Sequence, residues 1–331
     1  MDWTPDRLTS IATGYWQSAA LIGAVELSVF DHLDVPRTTE ELARRCGAQP
    51  DLLPALLDAL VGMRLLQKHQ DLYQIAPGAQ ALLSRHSPTC MTEALRYNAD
   101  LYRQWGKLSE VIRSGHPAVP QARQLGQDDS MTRRFVYGME SKAKAFTPVI
   151  APMIKLSPIG LLLDVGSGPG TLSRALLERY SQLRVTLVDL PEVLNIAREI
   201  CSRSSVMNRI SFHPANYRTD PLPRPVDSVV YAGALHQETR PSARRLFRKL
   251  FECLRPGGSI HIVDMMLEED RTAPLFSALF QITMLLIQPS ARVFSQTEVI
   301  QMLRETGFQS VHLSEPESSP YRLVSAYKPE E

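Results

Sequence analysis

With 331 residues and 44% hydrophobic content, the chain can bury two cores, so two domains are the natural division. Lys and Arg number 36 against 35 acids, and that balance excludes a global field drawing the protein to nucleic acid or anionic lipid. The four cysteines (46, 90, 201, 253) match no metal or redox spacing. The opening MDWTPDRLTS lacks an apolar signal core, and the longest apolar run, Leu275 to Ile287, is too short for a bilayer, so a soluble, cytoplasmic protein with no membrane partner is expected.

Ile11 to Leu33 carries an amphipathic helical pattern (Ala20, Ile22, Ala24, Val25, Leu27, Val29, Phe30). Thr38 then caps a helix, with Glu41 placed for the reciprocal bond of a capping box and Gly47 as its stop. A second helix is expected from about Pro50 to Met63, followed by a short strand pair in QKHQDLYQIA. Helix, turn, helix and β-wing is the layout of a winged helix, which suggests DNA binding. The candidate recognition helix, DLLPALLDALVGMRLL, has Arg64 as its one positive charge and two acids, Asp51 and Asp58. Affinity for DNA rests largely on basic contacts, so a nucleic-acid partner is not expected. The apolar richness of Ala19 to Phe30 suits burial against a second subunit instead.

The most informative stretch runs from Leu161 to Leu190, LLLDVGSGPGTLSRALLERYSQLRVTLVDL. An apolar run ending in Asp164 reads as a strand buried on both faces. Gly166, Gly168 and Gly170 follow, then a helical pattern from Leu172 to Tyr180, then a second strand, Val185 to Val188, that stops at Asp189. Glycines suit a tight turn where backbone must approach a ligand. A carboxylate at Asp189, with Leu190 beside it, falls where a βαβ unit presents acceptors to a ribose diol. The unit is therefore expected to bind an adenosine-bearing cofactor. Its D-x-G-x-G-x-G spacing, with Pro169 between two glycines, resembles motif I of the class I S-adenosylmethionine methyltransferases more than a dinucleotide fingerprint.

Downstream, Asp227 to Tyr231 reads as a third strand, and Leu246, Phe247, Leu250, Phe251 and Leu254 as the apolar face of a helix. In LRPGG, Gly257 is expected to cap that helix and Pro256 to block its continuation. Strand Ser259 to Val263 leads to Asp264, and Phe308–Leu313 with Tyr321–Tyr327 form two strand-like segments. LRPGG before an apolar strand, and a final reversed hairpin, are similar to what class I methyltransferases carry.

Together with LYRQWGKLSEVIRSG (101–115) and FVYGMESKAK (135–144), these features resemble the plant-type, or acetylserotonin-type, O-methyltransferase family over almost the whole chain. The resemblance implies an α/β architecture: a Rossmann-like methyltransferase domain with a mixed seven-stranded sheet and reversed terminal hairpin, plus a mostly helical winged-helix dimerisation domain. The boundaries expected are 1–110 for the dimerisation domain and 111–331 for the catalytic domain, with a helical linker over about 111–157 and the core at 158–331. It implies S-adenosyl-L-methionine as cofactor, S-adenosyl-L-homocysteine as product, a small-molecule acceptor, and a homodimer in which each N-terminal unit helps roof its partner's pocket.

The strand DSVVYAGAL runs directly into His236, at the rim where open α/β sheets place their chemistry. The family's general base matches His236, and the first of its two orienting acids matches Asp264. The second falls near Val293, where no acid stands, and Gln237, Glu238 and Thr239 replace the usual acid and aromatic after the histidine. Asn216 and Tyr217 take the place of an adenine-contacting pair, joining Asp164, Gly166, Gly168, Gly170, Asp189 and Leu190 as cofactor residues. Met139, Phe280 and Met284 are acceptor-pocket candidates, although Met and Phe at helical spacing are equally ordinary core. No Asp/Asn cluster suggests a divalent metal, so metal-free transfer to a hydroxyl of a small aromatic or hydrophobic metabolite is expected. A C- or N-methyltransferase, or a catalytically silent cofactor-binding or winged-helix regulatory protein, would share most of these motifs.

Overall fold

The structure, a computed structural model, describes residues 2–118, 126, 128–288, 290–316 and 319–330. The chain divides into two compact units, 1–100 and 101–331. In the first unit, α1 (Pro5–Ala12), α2 (Tyr15–Glu26), β1 (Arg37–Thr38), α3 (Thr39–Cys46), α4 (Leu53–Gly62), β2 (Leu66–His69), β3 (Leu72–Ile75) and α5 (Gln80–Leu83) follow in order. The single helical run expected from Ile11 to Leu33 is instead broken twice. It stops at Thr13–Gly14 and again at Ser28, whose φ of 58° ends the helical geometry. The second break turns Val29, Phe30 and Leu33 into a core shared with Leu42, Leu57, Leu60, Leu66, Tyr73 and Ile75. The capping box of α3 is present, with Thr38 Oγ1 accepting from Glu41 N at 3.3 Å and Glu41 Oε2 from Thr38 N at 3.2 Å. Gly47 closes the helix in the left-handed conformation. The small sheet has order β1-β3-β2, antiparallel throughout, and with α3 and α4 makes the expected helix–helix–wing arrangement.

Helix α6 (Thr92–Trp105) crosses the division, and α7 (Leu108–Ser114) and α8 (Asp129–Ile150) precede the main sheet. That sheet is built from β4 (Ile159–Val165), β5 (Gln182–Asp189), β6 (Ile210–Pro214), β7 (Val226–Ala232), β8 (Leu254–Met265), β9 (Gln309–Ser314) and β10 (Tyr321–Tyr327). Between them lie α9 (Thr171–Arg179), α10 (Pro191–Cys201), α11 (Arg240–Cys253), α12 (Leu275–Ile287) and α13 (Gln296–Thr306). Strand order is β6-β5-β4-β7-β8-β10-β9, parallel except for β10, which runs antiparallel to both β8 and β9. Leu162, Leu163 and Val165 of β4 and Val229, Val230 and Tyr231 of β7 are fully buried, as strands covered by helices on both faces must be.

LRPGG does not cap α11. The helix ends at Cys253, and Leu254 is already extended because it pairs with Val226 of β7. Gly257 does have positive φ, but its N–H bonds the carbonyls of Lys328 and Pro329 rather than the helix end.

The sheet order places the switch point at β4: β5 and β6 lie to one side, β7 and β8 to the other. Ligands of open α/β sheets bind outside the carboxyl ends of the strands at such a point. The glycine turn, Asp189, His236 and Asp264 all lie at those ends.

Candidate active site

The turn after β4 is shaped by three glycines in the left-handed region, and they do different work. A Cβ on Gly168 (φ 53°) would meet nothing within 4 Å, so this backbone borders open space. A Cβ on Gly166 would lie 3.4 Å from both Ala234 Cβ and Tyr217 Cε1, so that glycine lets the loop after β7 and the Tyr217 ring close in. A Cβ on Gly170 would lie 2.7 Å from Leu187 Cδ1, in the core. At Gly170 the bare Cα lets α9 pack on β5, a packing role beside the one expected toward a ligand.

Asp189 reaches the same turn from the tip of β5. Its Oδ2 accepts from Gly168 N and its Oδ1 from Leu190 N, each at 2.8 Å. Burial lifts its carboxyl to about 6 against the pull of those two N–H donors. Each oxygen keeps acceptor capacity for a further donor. Asp164 faces the interior instead. It accepts from Ser173 Oγ of α9 at 2.6 Å, and burial raises it to about 7, opposed by that hydroxyl and reinforced by the charge of Asp189. It anchors the helix behind the turn.

Asn216 is exposed, and its side-chain carbonyl accepts from Arg218 N at 3.0 Å, as in an ordinary turn. Tyr217 packs edge-on against Tyr231, with ring centroids 5.7 Å apart, and borders Gly166. Its hydroxyl donates to Glu238 at 3.2 Å. Glu238 is 1% exposed and also receives Arg218 Nε at 2.6 Å. This cluster around the buried Glu238 carboxyl was missed in the sequence, where Glu238 registers as the absence of an expected aromatic. Ser167, inside the glycine turn, was missed as well. Among the described residues its Oγ is buried without a hydrogen-bond partner, and such a group is costly unless something else satisfies it.

On the other side of the switch point, His236 follows the positive-φ Gly233 that ends β7. Its Nδ1 lies 2.8 Å from Asp264 Oδ1, and its backbone N donates to Asp264 Oδ2 at 3.2 Å. Met265 N also donates to Asp264, at 2.7 Å. A carboxylate can only accept, so Nδ1 carries the hydrogen and the neutral ring keeps its lone pair on Nε2. Phe280 of α12 meets the imidazole edge to face, centroids 4.8 Å apart at 85°. Phe280 in turn packs with Met284, Ile287, Ala291 and Leu101. Phe280 is therefore brought to the histidine, and Met284 belongs to the apolar cluster against which Phe280 packs. Met139 stays on α8, next to buried Glu140, whose carboxylate binds Arg174 and Thr171 of α9. Val293, at the place of the second orienting acid, is held by Gln281 Oε1 through its N–H at 2.6 Å. Among the described residues no group of three or more His, Cys, Asp or Glu is placed to hold a metal ion, and no helix is long and apolar enough to cross a membrane.

The residues at the turn fit S-adenosylmethionine. Asp189 offers acceptors to a diol, Gly168 leaves room, and Ser167 supplies an unsatisfied hydroxyl. A parallel sheet with a reversed terminal hairpin and this turn at its switch point defines a class I methyltransferase.

The O-methyltransferase domain family matches residues 105–309, and the O-methyltransferase dimerisation domain matches residues 9–85. The tetracenomycin polyketide synthesis 8-O-methyl transferase of Streptomyces glaucescens is 29% identical over 98% of this chain and 97% of its own. An N,N-dimethyltransferase of Streptomyces rimosus is also 29% identical, over 91% and 90%. Human N-acetylserotonin methyltransferase, solved with S-adenosylmethionine, superposes with a TM-score of 0.89 at 25% identity, covering 99% of each chain. The chain belongs to the S-adenosylmethionine-dependent O-methyltransferase family, with that family's dimerisation domain at its N-terminus.

Proposed function

We propose that the protein transfers a methyl group to a hydroxyl of a small aromatic or hydrophobic metabolite, with His236 as general base and no metal ion. The observation that carries this reading is the His236–Asp264 pair beneath Phe280, at the strand ends that also present the glycine turn. Bound S-adenosylmethionine supplies an electrophilic methyl on a positively charged sulfur, and Gly166, Gly168, Ser167, Asp189 and Leu190 would hold it, with Tyr217 beside them. Asp264 fixes the tautomer and the ring plane of His236, and Phe280 prevents the ring from turning. Nε2 then accepts the hydroxyl proton as the oxygen forms its bond to carbon. A phenol titrates near 10 and a histidine near 6.5, so the transfer is favourable only as the oxygen loses electron density to the new bond. Such a base contributes about 10²–10⁴-fold. The apolar wall of Phe280, Met284, Ile287 and Leu101 suits a flat, weakly polar acceptor.

Metal independence is supported by the donor set, since His236 and Asp264 have no third acidic, histidine or cysteine ligand among the described residues. The dimerisation-domain match over residues 9–85 supports a homodimer joined through the N-terminal unit, read as residues 1–110, with 111–331 read as the catalytic part. The winged unit is read as not binding nucleic acid, because Lys68 of its wing is paired at 2.9 Å with Asp58 of α4. The location proposed is the cytoplasm.

The test is turnover with a panel of phenols and naphthols and NMR of the product. A new methoxy signal supports the reading, and loss of turnover in His236→Gln with S-adenosylhomocysteine affinity retained assigns the base. The Streptomyces rimosus relative favours a second reading, transfer to an amine nitrogen. An N-methyl signal from amine acceptors, with phenols inert, would establish that reading and overturn the first.

A further inference from the structure

We infer that Glu238 is a positioning residue that locks the cofactor side of the site to the segment carrying His236. The inference rests on the cofactor reading above and adds a residue to it. Loop 215–220 follows β6, and segment 235–238 follows β7. They belong to different strand ends, and the buried Glu238 carboxylate joins them. Its Oε1 takes Arg218 Nε at 2.6 Å and Tyr217 Oη at 3.2 Å, while Arg218 also reaches the Gln237 carbonyl at 3.3 Å. Tyr231 Oη adds a bond to Tyr217 Oη at 3.4 Å, and Lys249 Nζ fixes the Tyr217 carbonyl at 2.8 Å.

One end of this network is the Tyr217 ring, whose Cε1 would lie 3.4 Å from a Cβ added at Gly166. The other end is the short turn Leu235–Gln237, which holds His236 against Asp264. A carboxylate 1% exposed and bound to a guanidinium is rigid, because any movement strips a charge of its partner in a poorly solvated place. Glu238 thereby sets where Tyr217 stands against the nucleoside and where the base stands against the acceptor.

The test compares wild type, Glu238→Leu, Glu238→Gln and Tyr217→Phe by calorimetric titration with S-adenosylhomocysteine, thermal melting and steady-state kinetics. Glu238→Leu should weaken S-adenosylhomocysteine about tenfold or more and lower kcat, with the acceptor KM little changed. Glu238→Gln keeps an acceptor oxygen for Arg218 and Tyr217 and should recover most of the affinity, a rescue and a split that a purely structural role would not produce. Tyr217→Phe keeps the ring, removes only the hydroxyl, and should show a smaller loss in the same direction. Folded Glu238→Leu with wild-type affinity and kcat would overturn the inference. If Glu238→Leu does not fold, unchanged affinity in Tyr217→Phe would do so. Failure of the wild type itself to bind S-adenosylhomocysteine would instead overturn the cofactor reading on which this one stands.

Discussion

Two glycines two residues apart should respond to the same substitution in opposite ways. Ala at either position must adopt positive φ (53° at 168, 72° at 170), which costs about 1–2 kcal/mol for an L residue. At 168 that is the whole stability cost, because the new methyl meets nothing within 4 Å. At 170 the methyl lands 2.7 Å from Leu187 Cδ1, and Leu187 is fully buried in the packing between α9 and β5. Overpacking of this kind adds about 1–3 kcal/mol, so Gly170→Ala should lose about 2–5 kcal/mol in all. The order reverses for ligand binding. The methyl of Gly168→Ala projects into the space assigned to the cofactor, and S-adenosylhomocysteine affinity should fall about tenfold or more, equivalent to about 1.4 kcal/mol. Gly170→Ala, if folded, should bind more nearly as wild type. Urea denaturation gives the first quantity and calorimetric titration the second. Equal stability of the two variants, or undiminished affinity in Gly168→Ala, would refute the division of labour read from the turn.

Other consequences are simpler to measure. Asp264→Asn can present an amide N–H to His236 Nδ1 and so favour the wrong tautomer; kcat should fall about 10²–10⁴-fold with S-adenosylhomocysteine affinity retained, and unchanged kcat would remove Asp264 from the mechanism. His261 is fully buried in a polar row across β7, β8 and β10, its Nε2 3.0 Å from Ser259 Oγ and its Nδ1 2.9 Å from Ser325 Oγ, and burial lowers it to about 4. The unfolded chain binds that proton near 6.5 and the native one does not, so stability is lost as pH falls from 6.5 towards 4, by about 3 kcal/mol at most. Asp164 and Asp189, both raised, act in the opposite direction, so the informative quantity is the difference between wild type and His261→Gln in denaturation across that window. A difference independent of pH would contradict the buried neutral histidine. Thr38→Ala removes the α3 cap and should lower stability by about 1 kcal/mol in chemical denaturation of the full chain, with no change in S-adenosylhomocysteine affinity.

The parts of this molecule that could be read in advance are those written locally. Strands covered on both faces appear as unbroken apolar runs, and parallel strands deliver their carboxyl ends to one edge, so Asp189 and His236 stand out at the ends of such runs. Thr38 and Glu41 are three residues apart and find each other inside one helical turn. What stayed hidden depends on partners distant in sequence. Glu238 is buried with its carboxyl bonded only because Arg218 and Tyr217 arrive from another strand end, and no spacing announces that. The spacing of the glycines does not show that Gly170 has Leu187 beneath it. Leu254 belongs to a helical pattern by periodicity, yet its pairing with Val226 draws it into β8. Ser28 is an unremarkable residue in an apolar helical pattern, and its positive φ follows from the packing of Val29 and Phe30 in the core.

The central claim is that the glycine turn and Asp189 hold S-adenosylmethionine, and the most direct measurement is calorimetric titration of the full-length protein with S-adenosylhomocysteine, wild type against Asp189→Asn. Wild type should bind at one site per chain, and Asp189→Asn, which replaces one acceptor oxygen with a donor, should bind at least about tenfold more weakly while remaining folded. Equal affinity in the two proteins, or no heat from either, would contradict the account.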